Sequence, residues 1–382
     1  MANTLTVLVP KLLAGGLRTL RQNAITYRLV QTGYTLTPQT KGKTITIPLG
    51  ATQARAAVVP AATPPANIDH TPTSVELVLD QWYKSDFHLS DQDMSQIDAQ
   101  TNFIPKQSEE AVKVLANGLD TDLLGLYKSV YQFAGTAGTT PFANDARTWT
   151  TGARKILNDS LAPVGDRSVV LDTDAEANAI DLEEFQNAAW SGSDRGIVEG
   201  EIGRKLGAGW YMNQNVPTHT KGTLAAGTAL QLNAEVAAGA TTAVFKDSGG
   251  TLTGTMTEGD LFTIAGHAQQ YTCSALATAA ANLVTVTFTP AAATTYTISS
   301  VVTHIDGHVA SLGFHRDAFA IGFAPLADDS MGLARQFMIQ DPLTGIVLRL
   351  EVTREYKQVT WRYDILYGVK AIRPELACRI LG

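Results

Sequence analysis

The sequence predicts an α+β fold in which an extended β-hairpin loop and a long helix precede a central α/β unit, itself interrupted by a small β-rich insertion. Three observations carry that reading. Apolar residues three and four apart run from Val112 to Val130. A strand-like run at Arg167 to Asp172 is followed by a helical stretch from Ala175 to Ala189. Between about Lys221 and Thr303 charge thins out and Thr, Ala and Gly dominate, after which α/β-type sequence resumes at Phe314.

Composition sets the outer limits. The 382 residues, 45% of them hydrophobic, supply enough apolar sequence for two or more compact units or one discontinuous domain with insertions. Only 17% are charged, so the surface is built largely from Thr, Ala, Gly, Ser, Asn and Gln. That balance suits a protein that buries much of its outside against neighbours. A net charge of -7 argues against a dedicated nucleic-acid grip, which needs surplus Lys and Arg on its contact face. Cys273 and Cys378 are too few for a disulfide framework and lack zinc-site spacing, which fits folding in a reducing cytoplasm. Met1 to Leu20 makes a poor signal peptide, since no basic residue precedes Lys11 and Pro10, Gly15 and Gly16 interrupt it. No run approaches the roughly 20 apolar residues that span a bilayer, so a soluble protein is expected.

The elements follow in order. Leu8 to Asn23 reads as a short amphipathic helix, with Leu12, Leu13, Leu17 and Leu20 opposite Lys11, Arg18 and Arg21. From Ile25 to about Asp86 the ends alternate like strands, Tyr27, Leu29 and Gln31 at one end and Val75, Leu77 and Leu79 at the other. Thr44 to Pro48 reads as another short strand. Between Gly50 and Pro72, Pro60, Pro64, Pro65 and Pro72 punctuate an aperiodic, alanine-rich stretch that predicts an extended loop held by something outside its own domain. Pro105 to Phe133 predicts a long helix, with Pro105 in its first turn and Glu109 and Glu110 near its positive end. Gly118 and Gly125 inside it each cost about 1 kcal/mol relative to Ala, which points to close packing or a bend.

A second helical stretch at Ala153 to Ser160 leads into the α/β unit, which closes on a strand and turn from Ala208 to Pro217. The insertion holds strand-like runs at Ala243 to Phe245, Leu261 to Ile264 and Val284 to Phe288, the pattern of a small β-barrel or sandwich. Ile346 to Glu355 and Val359 to Tyr367 read as two long strands, and Val369 to Ile380 as a last one. Trp361, Tyr363, Ile365 and Tyr367 alternate with Arg362, Asp364 and Leu366, which predicts one buried face, and Gly368 reads as a turn.

Catalytic constellations are not evident in the sequence. His304 to His308 is the best metal candidate, but Gly307 breaks any helix there and no third ligand is apparent, so a structural or surface role is favoured. His315 with Asp317 reads the same way. Gly203, Gly207 and Gly209 match no phosphate-binding spacing, and no Gly-x-Ser-x-Gly elbow occurs. Asp120 with Asp122 and Glu183 with Glu184 are assigned to solvated helix faces.

The order of elements resembles the Hong Kong 97-type capsid fold, and within it the coat proteins of short-tailed Salmonella-type phages that carry an inserted domain. Four runs carry the resemblance: Lys43 to Pro48, Gly209 to Pro217, Gly259 to Gly266, and Tyr367 to Glu375, the last being the most specific. It implies residues 1–25 as an N-terminal arm and 26–80 as the extended loop. Residues 81–152 with 336–367 become a peripheral domain around a spine helix at 105–133. Residues 153–220, 304–335 and 368–382 become the axial domain, and 221–303 the inserted β domain.

The resemblance further implies a major capsid protein, not an enzyme, that assembles into the icosahedral shell of a tailed double-stranded DNA phage. Its partners would be itself in hexamers and pentamers, a scaffolding protein during assembly, a portal at one vertex, a decoration protein in some particles, and packaged DNA bound without sequence specificity. No cofactor, metal or membrane is implied. The expected location is the virion capsid, assembled in the host bacterial cytoplasm. Candidate inter-subunit contacts are Arg18, Arg21, Arg55, Arg362, Asp364, Arg373 and Glu375, and candidate hinges are Gly118 and Gly125. With about 25 residues before the loop, a separate scaffolding protein and no large proteolytic trimming are expected. The insertion, at roughly 80 residues, is shorter than in the proteins it resembles, and no residue pair identifies a covalent cross-link. The alternatives are a decoration or tube protein and, more distantly, an enzyme using the His304/His308 region.

Overall fold

The computed structural model describes residues 16, 24–33, 42–50, 60, 72–93, 103–187, 200, 202–326, 335–340 and 346–382. The predicted arm helix lies outside them except for Gly16, which is buried against Val112 and Leu348, and so does most of the loop between Gly50 and Pro72.

The apolar stripe that predicted a long helix folds as one from Phe103 to Gly125, burying Val112, Leu115, Leu119 and Leu123. It stops short of Phe133. Leu126–Ser129 tightens into a 3-10 turn, Val130 is extended, and Phe133–Gly135 is a strand pairing in parallel with Ala377–Leu381. Leu126 and Val130 keep the apolar spacing because they pack on the same core, not because the helix continues. No atom outside the helix lies within 4 Å of a Cβ built on Gly118 or Gly125, so close packing explains neither glycine.

Asp120 does not face solvent, and Asp122 is half-buried. Asp120 is buried, accepting from the backbone N–H groups of Ile25 (3.0 Å) and Thr26 (3.1 Å) and from Asn213 Nδ2 (2.7 Å). Burial pushes its carboxyl pKa up while these donors pull it back. Asp122 accepts from the Tyr367 hydroxyl at 2.6 Å. The Asp120 contacts pin the segment after the arm as a 3-10 turn, Thr26–Arg28, where alternation predicted a strand. Tyr27 is fully buried there.

A five-stranded antiparallel sheet is centred on the 14-residue strand Gln358–Ala371. Phe319–Phe323 and Val347–Glu355 pair along it, Arg335–Gln340 lies beyond the latter, and Gln81–Ser90 pairs with residues 358–367. The Gln81–Ser90 strand was not anticipated, because its mostly exposed sequence carries little apolar alternation beyond Phe87, stacked 5.3 Å from Trp361, and Leu89. Trp361, Tyr363, Ile365 and Tyr367 are buried as predicted, but so are Asp364 and Leu366, so the strand has no solvated face over that stretch.

The second face is covered in part by the base of the loop hairpin. Thr44–Leu49 pairs antiparallel with Thr73–Val78, and Ile45, Ile47, Leu77 and Leu79 pack on Leu366, Ala320 and Ile372. Gly368 is therefore not a turn. The strand runs through it to Ala371, and a Cβ there would sit 2.1 Å from the Val78 carbonyl oxygen, so glycine is required by the close approach of the hairpin.

A seven-stranded mixed sheet forms the other half of the body. Its order is Phe133–Gly135, Ala377–Leu381, His308–His315, Arg167–Leu171, Ala208–Met212 and Gly203–Lys205, with Thr218–His219 also pairing on His308–His315. Arg167–Leu171 and Ala377–Leu381 are buried at every position, as strands covered on both faces must be. The helical stretch predicted to Ala189 is two pieces, Thr173–Asp181 and Glu183–Gln186. Asp172 caps the first through the backbone N–H groups of Asp174 and Ala175.

Between these strands, a six-stranded antiparallel sheet builds a separate core around Phe245, Phe262, Tyr271, Val286 and Phe288. Its order is Leu230–Leu232, Thr242–Asp247, Leu283–Thr289, Gln270–Cys273, Leu261–Ile264 and Val302–His304. It curls so that Gln231 bridges to Val301, bringing its two edges together.

Candidate assembly surfaces and a buried polar joint

The inserted β unit is fastened to the body by polar side chains. Arg379, on the C-terminal strand, is fully buried. Its Nε donates to the Val130 carbonyl (2.7 Å), Nη1 to the Gly259 carbonyl (2.7 Å), and Nη2 to the Lys128 carbonyl and Thr272 Oγ1 (both 3.1 Å). It thus clamps body carbonyls and inserted-unit oxygens in one fork, above the Tyr127 ring at 5.0 Å. Burial pushes its pKa down to about 9, which leaves it charged at neutral pH. Nearby, the Gln270 side-chain amide receives the Phe133 N–H (2.7 Å) and donates to the Phe133 carbonyl (3.0 Å), imitating a strand partner.

Asp260 is the second fastening. Its carboxylate accepts from the backbone N–H groups of Gly222 (3.1 Å) and Thr257 (2.7 Å) and from His219 Nε2 (2.8 Å). His304 Nε2 lies 3.2 Å away, at ion-pair distance but without hydrogen-bond alignment. Burial opposes the charge, yet the donors, His219 foremost, hold the carboxyl far below the usual carboxylate range. With Nε2–H donated to Asp260, His219 receives the Tyr127 hydroxyl at Nδ1 (3.0 Å), linking the body to the inserted unit. His308 completes the cluster, its Nδ1 donating to the Asp306 carbonyl (2.9 Å) and its ring centroid 5.2 Å from that of His219. Burial pushes His308 down to about 4.

This cluster gathers His304 and His308, set apart in the sequence, with Asp260, His219 and Arg379, which are distant in the chain. Among the described residues no group of three or more His, Cys, Asp or Glu is arranged to hold a metal ion. Asp260 lies within the Gly259 to Gly266 run that carried part of the resemblance. Nothing in the sequence marked His219 or Arg379.

The expected contact residues fall in different settings. Arg18, Arg21 and Arg55 lie outside the described residues. Asp364 is not at the surface: it is buried, paired with Arg349, whose Nε donates to Oδ1 at 2.8 Å, and receives Trp82 Nε1 at 3.1 Å. Arg362 lies across the strands of its own sheet, 3.2 Å from Glu351 and 3.8 Å from Asp86. Arg373 and Glu375 flank Pro374 at a 3-10 turn, partly exposed, and among the described residues neither side chain has a hydrogen-bond or ion-pair partner.

The Gln81–Ser90 strand leaves its outer edge unpaired among the described residues and exposes Trp82 and Tyr83 by nearly half. No helix among the described residues is long and apolar enough to cross a membrane.

No family model matches the chain, and no curated protein matches its sequence. Among solved structures, the capsid of cyanophage P-SCSP1u matches with a TM-score of 0.50 at 11% identity, covering 94% of this chain and 88% of that one. A structure from Mycobacterium phage Che8 matches with a TM-score of 0.46 at 15% identity, covering 89% of this chain and 85% of that one. A virus-like particle from Pyrococcus furiosus gives 0.45 at 7% identity, covering 97% and 98%. At such identities likeness speaks to fold alone, and the cyanophage match carries it: this chain has the mixed, mostly sheet α+β fold of that capsid structure.

Proposed function

We propose that the chain is a major capsid protein that self-assembles into the icosahedral shell of a tailed double-stranded DNA phage, a structural role and not a catalytic one. The observation that carries this reading is the fold likeness to the cyanophage capsid, which extends over 94% of the chain. The exposed edge of Gln81–Ser90 supports it. An open strand of 10 residues with exposed aromatic side chains is an aggregation hazard in a monomer and a docking edge in an assembly.

In this reading the loop hairpin, anchored at its base on Leu366, reaches over a neighbouring subunit, and Phe103–Gly125 is the spine of a peripheral domain. The seven-stranded sheet belongs to an axial domain meeting its copies at fivefold and sixfold positions. Repeated identical contacts close such a shell by symmetry, and many weak contacts act together. The finer assignment is to the short-tailed Salmonella-type coat proteins, with the six-stranded unit as their inserted domain. A scaffolding protein, a portal and a decoration protein are the proposed partners, and the virion the proposed location. Arg18, Arg21, Arg55, Arg362, Arg373 and Glu375 remain proposed contacts, and Gly118 and Gly125 proposed hinges. Co-expression with candidate scaffolding proteins followed by negative-stain microscopy tests the reading.

A further inference from the structure

The outer edge of the seven-stranded sheet carries opposite charge on its two faces. On one face a cavity of about 300 Å³ is lined by Arg28, Arg167, Arg204 and Arg316, with Asp166 the carboxylate in its lining. Arg167 is buried and spent on the Ala162 and Pro163 carbonyls and Asn158 Oδ1. Arg28, Arg204 and Arg316 are exposed, and among the described residues none has an ion-pair partner. Arg28 and Arg316 use only Nε, on the Tyr27 hydroxyl and the Val30 carbonyl. Three guanidinium groups thus converge on a recess with free N–H donors and surplus positive charge, the arrangement that takes up a carboxylate or phosphate.

The other face is acidic. Residues 172–187 contain six carboxylates and no Lys or Arg, and Asp174, Asp181, Glu183 and Glu184 are exposed there without ion pairs among the described residues. Lys205, on the edge strand Gly203–Lys205, donates to the Phe185 carbonyl and so points toward these helices. Arg204, next to it, points to the opposite face, where the cavity opens.

We infer that the arginine recess of one copy receives the acidic Thr173–Gln186 segment of the next. Two different surfaces meeting in this way make a head-to-tail contact, and such contacts close rings when the rotation allows. The alternative occupant, DNA phosphate, is disfavoured by the net charge of -7 and by the recessed shape, since a duplex backbone is read by protruding basic groups. The inference rests on the capsid reading for its setting, but a copy-to-copy contact is measurable without a shell.

The test uses the full chain. Charge reversal at the recess (Arg204→Glu with Arg316→Glu) and at the helices (Asp181→Lys with Glu184→Lys) should each reduce assembly at least tenfold, read as the fraction of sedimenting particles. Both reversals in one chain should restore it. Arg204→Cys mixed with Glu183→Cys should give a disulfide-linked dimer that neither variant gives alone, the native Cys273 and Cys378 being buried. Normal assembly of the recess variant, failure of the combined reversal to restore assembly, or absence of the mixed disulfide would overturn the inference. Normal empty particles that lose only packaged DNA would overturn it in favour of phosphate. If the recess pair fails to fold, Arg204→Glu alone, on an exposed edge strand, takes its place. Formation of the mixed disulfide by the two cysteine variants, with no closed shells from the wild-type chain, would refute the capsid reading and leave this contact standing.

Discussion

Replacing His308 by Gln removes a group that links the stability of the inserted unit's joint to pH. His308 is 2% exposed, its Nε2 has no hydrogen-bond partner, and burial depresses its pKa from 6.5 to about 4. The Asp306 carbonyl and Asp260 favour its proton, while Arg379 and His219 oppose it; burial outweighs both. Between these two pKa values the unfolded chain binds more protons than the folded one. Stability from the neutral ring is therefore complete above about pH 6.5 and drains away as pH falls toward 4. At 1.36 kcal/mol per unit the whole span is worth about 3 kcal/mol, and about 2 kcal/mol is lost by about pH 5.

Urea denaturation of the unassembled chain at about pH 7.5 and about pH 5 measures this, for wild type and His308→Gln side by side. Carboxylates and other histidines titrate in both proteins and cancel in the difference. Wild type should lose about 2 kcal/mol more than the variant on acidification. Hydrogen exchange should place the loss at Val302–His315 and Gly259–Cys273. Equal losses in the two proteins would refute the assignment of a buried neutral His308 to the joint.

Arg379→Met strips the donors from the carbonyls of Val130, Gly259 and Lys128, and should cost on the order of 3–5 kcal/mol, with faster exchange across Gly259–Cys273 than in the Phe103–Gly125 helix. Gly368→Ala should destabilise by about 1–3 kcal/mol and speed proteolysis of the loop hairpin, because a Cβ 2.1 Å from the Val78 oxygen forces the hairpin base aside. Gly118→Ala meets open space and should raise the urea stability of the unassembled chain by about 1 kcal/mol. If Gly118 is a hinge the same variant should slow shell expansion, and unchanged expansion would remove that role.

The parts of the fold that were legible are those set by periodicity within one element. The stripe from Val112 to Leu123 and the buried strand at Arg167 reflect local spacing of apolar side chains, and the loss of charge after Lys221 reflects a separate core. What sequence could not supply was the identity of partners across the chain. Asp364 and Leu366 read as a solvated face because the groups covering them, Arg349, Trp82 and the hairpin, lie elsewhere in the sequence. Gly368 read as a turn because glycine signals both turns and close approach, and the Val78 oxygen decides between them. Asp120 read as solvated because a polar residue within an apolar stripe gives no sign that backbone N–H groups await it.

The candidate site was less legible still. His304 and His308 drew notice by their spacing, yet their setting depends on Asp260, His219 and Arg379, which meet them only because the inserted unit folds back onto the C-terminal strand. Arg28, Arg204 and Arg316 went unremarked, since an arginine recess assembled from two 3-10 turns and an edge strand has no sequence spacing to detect.

The central claim is that this chain builds a closed shell. Electron microscopy of the full chain co-expressed with candidate scaffolding proteins tests it most directly: uniform icosahedral particles with five- and sixfold clusters are the predicted result, and tubes or monomers at every scaffolding ratio would contradict it.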